Sequence, residues 1–424
     1  MSTRRELLAL ASGAAVAAAV TPAAAATANP RRDAEGWTAT WAAAPTTIPP
    51  TPPAVVAGQT VRQIVHTSAG GDELRIRLTN EFGDRPLRVG EVRVAVRAGT
   101  GASTATVPGT DRRVTFSGRP GAVIPAGAPM VSDPVRLRVR GGADLAVSLY
   151  LPESTPVTTV AAFAFQENVV AAGNVTAART VTPAATITQY WFLSGVTVRS
   201  HAPAIVTLGN SITNGANTET NANHRWPDLL AARLRAARLP RGVANVGISG
   251  NRLLHDPNPP AGSAAVAFAN YFGHSALRRF DRDVLAQPGA EYLIVLLGVN
   301  DLGHPGTVAP PDEEVSAADI IGAHRQLIAR AHQGGLRAYG ATILPFKGDT
   351  LGFYSPENER KRAAVNAWIR HGGEYDAVID FDAATRDPAD PLRLRPAYDS
   401  GDGLHPNDAG MAAMAAAIPL RLFR

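Results

Sequence analysis

Tyr292-Leu293-Ile294-Val295-Leu296-Leu297 runs directly into Gly298-Val299-Asn300-Asp301. Six apolar residues without alternation predict a strand buried on both faces, and the glycine marks its end. The same rhythm recurs on either side. Upstream, Ala204-Ile205-Val206-Thr207-Leu208 and Val243 to Val246 predict short strands, each followed by a glycine. Downstream, Leu336 to Ile343 and Val378 to Phe381 predict two more. Helical spacing fills the intervals at 226–239, 277–285, 316–331, 357–371 and 408–418, with Pro227 tolerated in a first turn. Apolar strands alternating with helices predict a parallel sheet covered on both faces over residues 201–424. Such sheets place ligands at the C-terminal ends of their strands.

Residues 36–196 have a different rhythm. Leu74-Arg75-Ile76-Arg77-Leu78, Val92-Arg93-Val94 and Val135-Arg136-Leu137-Arg138-Val139-Arg140 alternate apolar and polar at every step. Leu145 to Leu151 is a further apolar strand ended by Pro152. Gly70-Gly71 and Gly141-Gly142 stand where hairpin turns are expected. The expectation is an all-β sandwich or jelly-roll-like domain with its arginines on solvated outer faces. Val196 to Pro203 is too short and mixed to be a flexible linker, so a fixed interface between the two domains is expected.

The chain has 424 residues, 45% hydrophobic and 18% charged, enough for two packed domains. Its formal charge of +5 is small for this length, so no nucleic-acid partner is expected. The absence of cysteine excludes disulfides, thiolate metal sites and a cysteine nucleophile. Residues 1–28 read as a signal peptide: Arg4-Arg5, an apolar run from Leu7 to Val20, then small residues from Ala23 to Ala28. A secreted or extracellular protein follows, exported by the general or the twin-arginine route, without stable membrane insertion. A monomer is expected.

Candidate chemistry gathers at the strand ends. Ser211, in Gly209-Asn210-Ser211, is either a nucleophile exposed by a strand-to-helix turn or a helix cap. Gly250, in Gly247-Ile248-Ser249-Gly250-Asn251, either presents its N–H to a developing oxyanion or makes the turn. Asn300 either donates to the same oxyanion or caps the next segment. Asp402 and His405, in Asp402-Gly403-Leu404-His405, are spaced so that the carboxylate can orient the imidazole as a base.

The order of these four blocks resembles the SGNH (GDSL-type) esterase superfamily throughout residues 203–424. Asn223-His224-Arg225-Trp226-Pro227-Asp228 is similar to a secreted subgroup that includes arylesterase-like proteins from xylan-degrading gene clusters, a subgroup that also carries an N-terminal β-domain. The resemblance implies a three-layer α/β/α domain and ester hydrolysis without metal or organic cofactor. It implies that Ser211 is the nucleophile, His405 the base and Asp402 its orienter. It implies that Ser211 N–H, Gly250 N–H and the Asn300 side chain form the oxyanion hole. Asn210 departs from the family's usual Asp and changes the charge beside the nucleophile, not the triad.

Other enzyme classes fit less well. No serine lies in a Gly-x-Ser-x-Gly sequence, neither Lys347 nor Lys361 lies in a phosphate-binding loop, and there is no His-Glu-x-x-His. His224, His255, His274 and His304 lack metal-ligand spacing, though the last three border the expected cleft. The expected substrates are small-molecule, glycan or lipid esters, with acyl, acetyl or aryl groups. The alternative is a catalytically weak protein that binds glycan through its β-domain.

Overall fold

The computed structural model describes residues 36–424. The segment read as a signal peptide lies outside them. Ala204–Gly209 (β1), Gly242–Asn245 (β2), Ala290–Leu296 (β3), Arg337–Ala341 (β4) and Ala377–Ile379 (β5) form one parallel sheet in the order β2-β1-β3-β4-β5. Successive residues of β3 turn to opposite faces, as a pleated strand requires. Leu293 and Val295 pack with Phe280, Leu327 and Val365, whereas Tyr292, Ile294 and Leu296 pack with Trp226, Leu230 and Met414. Helices therefore cover both faces, which makes three layers and explains why β3 is apolar throughout.

Local chemistry sets the element ends. The helix Ala317–Gln333 starts on a capping box in which Ser316 and Asp319 satisfy each other's backbone N–H. β5 stops two residues before the expected Phe381, because Asp380 caps the following short helix by accepting from the Ala383 N–H. The helix expected over 277–285 starts at Ala276 and widens into a π turn over Asp281–Leu285.

The N-terminal region is β-rich. One antiparallel sheet contains Trp37–Ala42, Leu193–Arg199, Gly71–Thr79 and Val135–Val139. A six-stranded sheet contains Gln59–His66, Glu91–Val96 and Asp144–Leu151. Both feed one core, with Leu74, Ile76 and Val198 from the first and Val61, Val94 and Val147 from the second. The two glycine pairs are not hairpin turns. Gly70-Gly71 and Gly141-Gly142 stand where the chain crosses between these sheets. A Cβ on Gly70 would lie 2.6 Å from Val139 O, so the glycine serves close backbone approach. The outer-face arginines also divide. Arg136 and Arg138 are exposed, whereas Arg75 lies over the Trp37 ring and Arg77 faces Asp283 across the interface with the α/β domain.

That interface is tight. Ala39 N–H donates to Pro288 O at 2.8 Å, and Thr38 Oγ1 donates to Ala202 O at 2.6 Å. Ser68 Oγ donates to Thr40 O at 2.7 Å and accepts from Val243 N–H at 2.8 Å, on the edge strand β2. A Cβ on Gly242 would lie 2.1 Å from Ala39 O. Ala39, Ala42 and Ala44 belong to the same buried cluster as Val206 and Val295. A fragment of residues 201–424 would expose that cluster and uncover β2. We expect it to be insoluble, or folded and poorly active. Full solubility and turnover of the fragment would show the N-terminal region to be dispensable.

Candidate active site

The strand order reverses direction between β1 and β3, the position where open parallel sheets form their ligand crevice. Gly209 at the end of β1 pairs with Leu296 at the end of β3. Ser211 lies two residues beyond the first and Asn300 four beyond the second. Gly250 follows the neighbouring β2. The chain turns sharply after β1 into a one-turn helix, Ser211–Asn214. A Cβ on Gly209 would lie 2.1 Å from Thr213 Oγ1, so only glycine allows that turn. Asn210 caps it, with its Oδ1 accepting from Ile212 N–H at 3.0 Å. Capping thus falls to Asn210 and leaves the Ser211 hydroxyl uncommitted to the backbone. An Asp at 210 offers the same oxygen, which is why the turn forms despite the departure.

Ser211 Oγ lies 2.8 Å from His405 Nε2, and His405 Nδ1 lies 2.7 Å from Asp402 Oδ2. Asp402 Oδ1 accepts from the backbone N–H of Leu404 at 2.9 Å and of His405 at 2.8 Å. Burial works against ionisation of Asp402. The hydrogen bonds from the His405 ring and from these backbone groups outweigh it and hold the carboxyl far below its usual range. An ionised Asp402 accepts only, so His405 carries its hydrogen on Nδ1 and Nε2 is left to accept from Ser211. The fold thus brings Ser211 to a histidine 194 positions away in sequence and sets all three residues on one hydrogen-bonded line. The arrangement is able to deprotonate the hydroxyl as it attacks an electrophile.

Gly250 has φ +77°, and a Cβ there would lie 2.0 Å from the Phe272 ring. Among the described residues, neither its N–H nor that of Ser211 has a hydrogen-bond acceptor. Asn300 Nδ2 donates to Asn251 O at 2.9 Å, which fixes the amide and leaves its second hydrogen available. The three donors stand at the ends of three adjacent strands.

Four residues that sequence reasoning missed hold these groups. Asn251, fully buried, donates to Phe272 O and His274 O, both at 2.8 Å. Asp301 accepts from Leu253 and Leu254 N–H, tying the loop after Gly250 to the segment carrying Asn300. Burial raises the Asp301 carboxyl's pKa, against these two backbone bonds. Arg279 donates to Asn251 Oδ1 at 3.0 Å, Val246 O at 2.7 Å and Gly209 O at 3.2 Å, joining the ends of β1 and β2. Burial lowers its pKa to about 10 against the pull of Asp283, so it stays protonated at neutral pH. Asn217 donates to Asp402 Oδ2 at 2.9 Å. Asn251 and Asp301 directly follow motif residues, which is the signal that points to them. Arg279 and Asn217 carry no local signal.

The histidines divide. His255 and His304 line a small cavity beside Gly250, with Phe272 and Val308. Burial lowers His304 to about 3, so its ring is neutral there. His274 lends its carbonyl to Asn251. His224, contrary to the expectation from spacing, meets two carboxylates: its Nδ1 lies 2.6 Å from Asp408 Oδ2, and its ligand atom, one from Asp408 and one from Glu219 lie within 4.8 Å of one another. The cluster is partly exposed and its histidine is already paired with Asp408.

Residues 207–413 match the GDSL-like lipase/acylhydrolase family. No curated protein sequence matches the chain. Among solved structures, the chain is similar to an acetylxylan esterase from Geobacillus stearothermophilus at 18% identity and a TM-score of 0.38, covering 52% of this chain and 94% of that one. It is also similar to a GDSL-like lipase from Bacteroides thetaiotaomicron at 18% identity and a TM-score of 0.36, covering 52% and 87%.

Proposed function

We propose that this carboxylic ester hydrolase, whose residues 207–413 form a GDSL-like lipase/acylhydrolase domain, works through an acyl-enzyme on Ser211. The observation that carries the reading is the line from Ser211 Oγ through His405 to Asp402, with contacts of 2.8 and 2.7 Å. Ser211 Oγ attacks the ester carbonyl while His405 Nε2 takes its proton. Charge on the carbonyl oxygen is met by the N–H groups of Ser211 and Gly250 and by the Asn300 amide. The alcohol leaves with the proton from His405. Water, deprotonated by the same ring, then releases the acid and restores Ser211.

A small cavity lined by Gly250, Phe272 and His304 adjoins the loop of the oxyanion donor Gly250, and we read it as the acyl pocket. It favours a short acyl group such as acetyl, on a small-molecule or glycan alcohol. The shared core of the two N-terminal sheets supports reading residues 36–196 as a β-sandwich fixed to the catalytic domain. The sequence of residues 1–28 supports export, which N-terminal sequencing of extracellular protein checks.

A fluorophosphonate is expected to label the protein once, on Ser211, and to abolish hydrolysis of p-nitrophenyl acetate in proportion. Labelling elsewhere, or turnover surviving full labelling, overturns the acyl-enzyme reading. A protein that is inert to the ester yet pulled down by insoluble polysaccharide would instead act by glycan binding.

A further inference from the structure

Phe163 belongs to the N-terminal β-rich region, yet it stands at the catalytic loops. Its carbonyl accepts from Asn214 Nδ2 at 3.1 Å, and the same amide nitrogen donates to Ser249 Oγ at 3.0 Å. Asn214 ends the helical turn that Ser211 begins, and Ser249 precedes Gly250. Phe163 is thereby tied to both the nucleophile turn and the oxyanion loop.

Its backbone is strained. Phe163 has φ +59° and Phe165 has φ +48°, a left-handed conformation that bulky residues rarely adopt. Such strain persists only where surrounding contacts enforce it. Here they do. Arg225 donates to Ala164 O, Asn221 N–H donates to Phe165 O at 3.0 Å, and Asn221 Oδ1 accepts from Glu167 N–H at 2.8 Å. Three consecutive carbonyls of the N-terminal region are thus held by the loop that follows the nucleophile.

The Phe163 ring itself is left partly in water. Phe163 is 38% exposed, one of few large apolar side chains left so among the described residues. Its ring and that of Tyr271 stand edge to face, with centroids 6.0 Å apart and an angle of 80° between the planes. Tyr271 adjoins Phe272, the ring that covers Gly250. Packing alone gives no reason to strain the backbone and then leave the ring exposed.

We propose that Phe163, with Tyr271, forms a substrate-binding ledge beside the catalytic serine, taking the apolar face of a six-membered ring in the alcohol half of the ester. The inference rests on the catalytic reading above and deepens it. With the acyl group assigned to the cavity beside Gly250, the ledge is left for the alcohol half, and an exposed aromatic face attracts either a sugar's C–H face or an aryl ring.

The test compares wild type, Phe163→Gly and Phe163→Tyr on three acetates: ethyl acetate, phenyl acetate and acetylated xylo-oligosaccharide. Glycine adopts the left-handed backbone without strain, so this variant removes the ring and keeps the loop. The ratio of kcat/KM for the ring esters to that for ethyl acetate is expected to fall roughly three- to tenfold in Phe163→Gly, mainly through KM, and to return in Phe163→Tyr. A fall for only one ring ester identifies which ring the ledge takes. Equal losses on all three esters, or no change in the ratio, overturn the ledge while leaving the catalytic reading in place. A wild-type protein that hydrolyses none of the three overturns the catalytic reading, and the ledge with it.

Discussion

Ser211→Ala is expected to lower kcat for an acetyl ester by about 10⁴-fold or more while the protein stays folded. The Ser211 side chain makes one hydrogen bond, to His405, and Asn210 does the capping of the turn. Removing the hydroxyl therefore costs the fold about one net hydrogen bond, roughly 0.5–1.5 kcal/mol. Catalysis loses far more, because no other group in the line can form the covalent intermediate. What survives is the residual effect of the oxyanion donors and of substrate binding. The measurement is kcat beside a thermal melt and a circular dichroism spectrum. A folded variant that turns over at near wild-type rate would remove Ser211 from the chemistry.

The parallel sheet was legible because β3 is apolar on both faces, a pattern that only coverage by two helical layers satisfies. Ser211 and Asn300 stood out as candidates because each lies just beyond a strand end, where the sheet's geometry converges, whereas Asp402 and His405, in the loop before the last helix, stood out only by their spacing and by the order of the four blocks. The limits of the sequence reading lie in contacts between distant segments. Arg279 makes bonds to Gly209, Val246 and Asn251, none of them predictable from helical spacing, and its burial becomes visible only when β1 and β2 are placed side by side. Asn217 reaches Asp402 across a sequence separation of 185.

The glycine pairs show a different limit. Gly-Gly between alternating segments fits both a hairpin turn and a sheet crossover, since each needs a backbone without side chains. Which of the two forms depends on strand partners elsewhere: Val135–Val139 pairs with Gly71–Thr79, while the strand after Gly142 pairs with Gln59–His66. Phe163 was illegible for a related reason. Nothing in Ala161-Ala162-Phe163-Ala164-Phe165 marks a left-handed backbone, which is imposed by bonds from Asn214, Arg225 and Asn221.

Asn300→Ala is expected to lower kcat by about 10²- to 10³-fold with KM little changed, the usual loss for one preorganised oxyanion donor. The ground-state carbonyl is a weaker acceptor than the oxyanion, so the amide's contribution falls mainly on the transition state. A structural cost accompanies it. Asn300 Nδ2 also donates to Asn251 O at 2.9 Å, and losing that donor leaves a buried carbonyl unpaired, at about 1–3 kcal/mol. A lower Tm is therefore expected and does not by itself explain the kinetics. Asn300→Asp removes both interactions without opening a cavity. It keeps the side chain's size and replaces the donor with a carboxylate facing both Asn251 O and the developing oxyanion, so kcat is expected to fall at least as far as in Asn300→Ala. If KM rises and kcat holds in Asn300→Ala, the residue binds substrate and the oxyanion is stabilised by the backbone N–H groups of Ser211 and Gly250 alone.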